Sequence, residues 1–180
     1  MNDQHRQFMQ LALVEAAKAL AANEFPVGCV ITHYGKVVAR GHRTNSRTDT
    51  ANELDHAEVV ALRALLADQP EIDRAGLVVY STMEPCLMCY ATLLLNGIRT
   101  IAWAYEDAMG GGTGLDLAGL APLYREMRVT LIPGLLRAES LALFQNFFSN
   151  PDNDYWQGSL LADYTLRQER EEAAGSPPRP

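Results

Sequence analysis

Leu77-Val78-Val79-Tyr80-Ser81-Thr82-Met83-Glu84-Pro85-Cys86-Leu87-Met88-Cys89 is the stretch on which the fold turns. Its first five residues, rich in β-branched and aromatic side chains, read as a strand, Leu77 to Ser81. Pro85-Cys86 follows directly at the start of a helix that continues through Leu95, since proline suits the first helical turn. Thr100-Ile101-Ala102-Trp103-Ala104-Tyr105 is the next strand, so a strand–helix–strand unit is predicted.

Upstream, Phe8, Leu11, Ala12, Ala16, Ala19 and Leu20 recur at helical spacing and predict a first helix ending near Asn23. Pro26 to Ile31 reads as a buried strand, turned at Tyr34-Gly35 into a second, Lys36 to Ala39, which makes a hairpin. A polar stretch, Gly41 to Leu54, leads into a helix from Asp55 to Leu66. Downstream, the glycine-rich Gly110 to Gly114 is expected to be a mobile loop near the functional pocket. Val129 to Ile132 is a fifth strand. The helix carrying Leu136, Leu143, Phe144 and Phe147 runs to Asn150, where Pro151 stops it. A short helix is expected from Tyr155 to Glu172. Strands alternating with helices after a hairpin predict an α/β fold, a three-layer α/β/α sandwich with a mixed five-stranded sheet. Residues 1–150 form its body, 151–174 a helical extension and 175–180 a disordered tail.

Chemistry concentrates in His56-Ala57-Glu58 and Cys86-Leu87-Met88-Cys89. One imidazole and two thiolates are three ligands suited to Zn²⁺, one ion per chain, with a fourth tetrahedral position left to water. A structural zinc site would close that position with a fourth protein ligand. Cys86 and Cys89, three apart, share a helix face, and a helix N-terminus favours thiolates. His56 and Glu58, two apart, would not share a face, which fits different tasks in one pocket. Cys29, in an apolar strand, is expected to be a buried core thiol. His5, His33 and His42 lie in polar surroundings and are expected to face solvent.

Composition narrows the setting. The chain has 180 residues, a length for one domain with a sizeable core. No apolar run approaches the roughly 18 residues of a membrane span, and no signal-peptide core is seen. Three cysteines offer no disulfide framework, so a cytoplasmic location is expected. The net charge is −7, lysine occurs only at Lys18 and Lys36, and the arginines are scattered, which weighs against a phosphate-gripping surface.

His56-Ala57-Glu58 and Pro85-Cys86-Leu87-Met88-Cys89 together match the H-x-E…P-C-x-x-C signature of zinc deaminases. From Phe8 to Phe148 the chain resembles the cytidine/deoxycytidylate deaminase superfamily, nearest to its branch of bacterial tRNA adenosine deaminases, guanine deaminases and cytosine deaminases. Further pieces carrying the resemblance are Pro26-Val27-Gly28, Asn45, Asp107 to Gly112 and Phe147-Phe148. It implies a cytidine deaminase-like fold, a homodimer, His56, Cys86 and Cys89 as zinc ligands, and Glu58 as proton shuttle. Asn45, eleven residues before the histidine, is implied as a substrate partner, beside Ala57 and Asp107.

Two departures bear on substrate. Asp55 precedes the histidine where the tRNA enzymes carry a small apolar residue, and reads either as a helix cap or as a substrate contact. The segment after Phe148 is acidic, with Asp152, Asp154, Asp163, Glu169, Glu171 and Glu172, where the tRNA enzymes are basic. Trp156 could close the pocket, as an aromatic from a C-terminal helix does in small-base deaminases. The preferred expectation is therefore a hydrolytic deaminase of a nucleobase, nucleoside or related small amino-heterocycle. A tRNA wobble-adenosine deaminase is the alternative, and a non-catalytic zinc-structured binding module a third reading, opposed by the intact Glu58.

Overall fold

The computed structural model describes residues 3–47 and 51–168. In chain order it contains α1 (Asp3–Ala21), β1 (Gly28–His33), β2 (Lys36–His42), α2 (Ala57–Asp68), β3 (Leu77–Met83), α3 (Leu87–Leu95), β4 (Thr100–Tyr105), the short α4 (Pro122–Arg125), β5 (Thr130–Ile132), α5 (Arg137–Ser149) and α6 (Leu160–Arg167). The strands form one sheet in the order β2-β1-β3-β4-β5. β1 runs antiparallel to both β2 and β3, whereas β3, β4 and β5 are parallel. The sheet is thus mixed. Parallel neighbours need a crossover, and α3 supplies the one between β3 and β4.

Strand side chains alternate between faces, so each strand feeds two layers. Cys29, Ile31, Val79 and Ile101 join Ala61, Leu65, Leu93 and Leu94 of α2 and α3 in one cluster. Val30, Tyr80, Ala102 and Ala104 meet Met9 and Ala12 of α1 on the opposite face. The three-layer sandwich follows, and each fully buried leucine is worth about 1.5–3 kcal/mol. Cys29 is wholly buried, as its apolar strand requires.

One glycine sets the site. A Cβ on Gly41 of β2 would stand 2.6 Å from the Ala61 nitrogen and 2.7 Å from the Ala57 carbonyl oxygen. Its absence lets the first turn of α2 lie against the sheet, with His56 and Glu58 at a fixed height above it.

The segment after α5 departs from its expected form. Trp156 and Gly158 have φ of 56° and 69°, left-handed values that break any helix beginning at Tyr155. Ser159 then caps α6 by accepting from the Ala162 amide, so that helix is Leu160–Arg167; residues 169–180, including the expected disordered tail, lie outside the described residues. α6 is bolted to the body. Arg137 grips Glu106 with two short bonds, the Tyr164 hydroxyl donates to the same carboxylate at 2.6 Å, and the Tyr105 and Thr165 hydroxyls meet at 3.0 Å. α4, which the reading of the sequence omits, opens with Pro122 at its first turn. Nor do the three histidines simply face water: they are half-buried, with His5 bonded to the Tyr80 hydroxyl and His42 to Glu15.

Candidate active site

His56 and Cys86 are the N-cap residues of α2 and α3, both with extended backbone, and Cys89 lies in the first turn of α3. Two helix starts therefore point at one spot. His56 Nδ1 stands 3.6 Å from Cys86 Sγ and 3.4 Å from Cys89 Sγ, and the three candidate ligand atoms all lie within 4.8 Å of one another. A tetrahedral zinc with Zn–N near 2.0 Å and Zn–S near 2.3 Å requires N···S separations of about 3.5–3.6 Å. The donor set fits zinc in chemistry and in spacing.

Glu58 is 3% exposed and stands at the edge of this triad. One carboxylate oxygen accepts from the Ser81 hydroxyl at 2.9 Å, and the other faces Cys89 Sγ at 3.6 Å. Burial pushes the Glu58 carboxyl above its usual range, against the pull of His56 and the Ser81 bond. The contact from Cys89 and the His56 ring, working against burial, draws the Cys86 thiol down to about 4, whereas Cys89 is raised by its bond to Cys86 and by burial. The two cysteines thus hold one proton between them. Burial opposes charge on His56, but Cys86 and Glu58 outweigh it and lift the ring to about 8.

The site forms the floor of a cavity of about 460 Å³, within the range of small-molecule sites. Of the residues singled out from sequence, His56, Ala57, Glu58, Cys86, Asp107 and Trp156 line it. Asn45 and Asp55 do not belong to that lining. They bind each other: Asp55 accepts from the Asn45 and Asn52 amides at 2.7 and 2.9 Å, bonds that hold its carboxyl below the usual range, and it also meets Arg63 at 3.2 Å. Asp55 is no helix cap, for that position is His56. Asp107 does two things. Its side chain accepts from the Met109 and Gly110 amides, and it also stands on the cavity wall, where burial raises its carboxyl.

The glycine loop is pinned. Gly111 pairs with Cys86 in an antiparallel bridge, and the Gly112 amide donates to the Pro85 carbonyl at 2.9 Å. A Cβ on Gly112 would fall 2.5 Å from the Leu87 nitrogen. Glycine here lets the loop brace the zinc-binding turn, in place of the mobility expected of it. Reading the sequence also missed Arg43, Glu53, Ser81 and Tyr155 as site residues. A serine among Val79 and Met83 in an inward-facing row was the available signal for Ser81.

Residues 2–105 match the cytidine and deoxycytidylate deaminase zinc-binding region. The chain belongs to that family. It is 32% identical over 146 residues to the tRNA-specific adenosine deaminase of Streptococcus pyogenes, covering 81% of this chain and 91% of that one. The tRNA-specific adenosine deaminase of Agrobacterium fabrum is 32% identical over 142 residues, 78% of this chain and 91% of its own. Among solved structures, a tRNA:A34 deaminase that edits A to I superimposes with a TM-score of 0.63 at 29% identity, over 76% of this chain and 98% of that one. The guanine deaminase of Nitrosomonas europaea gives 0.63 at 20% identity, over 79% and 83%, a likeness that bears on the fold alone. These relatives side with the tRNA alternative more than with the preferred small-heterocycle expectation. No helix among the described residues is long and apolar enough to cross a membrane.

Proposed function

We propose that this chain is a zinc-dependent hydrolase that removes the exocyclic amine of a nucleobase as ammonia. The observation that carries this is Glu58, a buried carboxylate beside the His56–Cys86–Cys89 triad on a cavity floor. Zinc held by the triad would acidify a water molecule, so that hydroxide is available near neutral pH. Glu58 takes the proton of the attacking water, passes it to the ring nitrogen and then protonates the departing amine. Its upward-shifted carboxyl suits a group that must hold a proton and release it. Water adds across the ring C–N bond, the C–NH₂ bond breaks, and a carbonyl and ammonia remain. Ala57, Asp107 and Trp156 contact the base in this reading, while Asn45 and Asp55 act from behind the wall.

Relatives support adenosine in a tRNA as the substrate. A second reading, a free small heterocycle, is favoured by the C-terminal segment. Tyr155 and Trp156 stand on the cavity wall, and the Tyr155 hydroxyl is tied to Glu53 at 3.1 Å, with Trp156 44% exposed as a candidate lid. Glu53, Glu84 and Asp107 line the same cavity, an unfavourable rim for a phosphate backbone. Ammonia release from free bases, nucleosides and a tRNA anticodon stem-loop, measured with zinc-loaded protein, separates the two. Turnover of the stem-loop alone establishes the first reading, turnover of free heterocycles the second, and no ammonia from any of them overturns the deaminase.

A further inference from the structure

Arg43 is 1% exposed, and its environment is incompletely matched. Its backbone amide donates to the Val27 carbonyl at 2.8 Å, extending β2 toward the cavity. Nη2 donates to the Asn52 carbonyl at 2.8 Å and to Glu53 Oε2 at 3.3 Å, and the guanidinium carbon stands 5.8 Å from the centre of the Tyr155 ring. Nε and Nη1 have no hydrogen-bond partner. A guanidinium carries five N–H donors in a plane and no acceptor, so both nitrogens can be satisfied only by an incoming acceptor. Buried donors are rarely left without one. Arg43 lines the cavity that holds the triad, as do Val27, Glu53 and Tyr155 around it.

We propose that Arg43 is a substrate-recognition residue, and that it donates to a ring carbonyl oxygen of a neutral amino-oxo heterocycle. This rests on the small-heterocycle reading and names its chemical class. Two features of the wall choose the acceptor. Glu53, Glu84 and Asp107 line the same space, so an anionic group such as a phosphate would meet repulsion that a neutral carbonyl does not. A planar fork of donors matches adjacent acceptors, as a carbonyl oxygen beside a ring nitrogen presents them. The amine-bearing edge of adenine sets a donor there instead, and a donor facing a buried donor leaves both unpaired.

Matched pairs that differ only in the oxygen test this: guanine against 2-aminopurine, isoguanine against adenine, and cytosine against 4-aminopyrimidine. For whichever pair the zinc-loaded enzyme accepts, the oxo member should be favoured in kcat/KM by roughly 100-fold or more, as expected of a site built to pair a polar group. Arg43→Gln should bring the ratio to near unity, chiefly through KM, at unchanged zinc content and melting temperature. Equal rates within the wild-type pair overturn the proposal, whether or not the variant folds. So does a ratio that survives in a folded Arg43→Gln protein, or turnover confined to adenosine in tRNA. If no member is turned over, the deaminase reading fails while Arg43 is judged by calorimetry. Hypoxanthine or uracil should then bind at least tenfold more tightly than purine or pyrimidine, and equal or absent binding overturns the assignment.

Discussion

Glu58 and Ser81 show how two side chains divide one task. Glu58 must move protons, and a carboxylate free to rotate would do so from many positions. Ser81, wholly buried in β3, holds one of its oxygens at 2.9 Å. Glu58→Gln should keep zinc and fold while losing roughly 10²–10⁴-fold in rate, the usual worth of a positioned proton shuttle; turnover within threefold of wild type would exclude that role. Ser81→Ala should lower kcat by about tenfold with little change in KM, because it frees the carboxylate without touching substrate. Ser81→Thr should recover most of the loss, and an unchanged kcat in the alanine variant removes Ser81 from the mechanism. Cys86→Ala should bind far less zinc by elemental analysis, since two remaining ligands leave the ion half-held. The triad and Glu58 were legible because spacing alone names them. Ser81 and Arg43 were not: a buried arginine inside a polar stretch looks like any solvated loop residue until the fold folds it inward.

At the level of elements, α6 was legible as a helix but not in its limits, because Trp156 and Gly158 sit in left-handed backbone that periodicity does not register. Its anchor was hidden as well, since Glu106, Arg137 and Tyr164 are far apart in sequence. Burial alone would raise the Glu106 carboxyl, but Arg137 and Tyr164 overcome it and hold the group at about 2, below the ordinary 4.5. The folded state therefore binds fewer protons at this site than the unfolded chain. Its stabilisation is present in full above about pH 4.5 and drains away as pH falls toward 2. Glu106→Gln forfeits that term, on the order of 3 kcal/mol near neutral pH. Thermal melts should show the variant well below wild type at neutral pH, with the gap closing from about pH 4.5 downward. A gap that is independent of pH would mean that the ion pair contributes packing rather than charge.

For the molecule as a whole, the layers were legible from alternation, but the strand order was not. Local periodicity cannot report that β1 lies between β2 and β3, because that pairing is made across α2 and a long polar loop. Assembly follows from what the layers leave uncovered. Tyr90, Leu93 and Leu94 of α3 are buried, whereas Leu87 and Leu95, on one side of the same helix with Ala91 between them, are each 56% exposed. Residues spaced by four lie on one helical face, so this is an apolar stripe on the element that carries both zinc thiolates. Scattered exposed leucines are ordinary, but two aligned on one short helix suit a partner surface. A second copy of the chain, meeting the first through α3, would cover the stripe on both and steady the Cys86 turn from outside. Multi-angle light scattering should give a dimer at micromolar concentration, and Leu95→Glu should shift it to monomer, because each charge would be buried against its twin. The same variant should lose zinc more readily to a chelator, since the turn that holds Cys86 would lose its brace. A wild-type monomer in that experiment would refute the assembly and leave the stripe as ordinary surface.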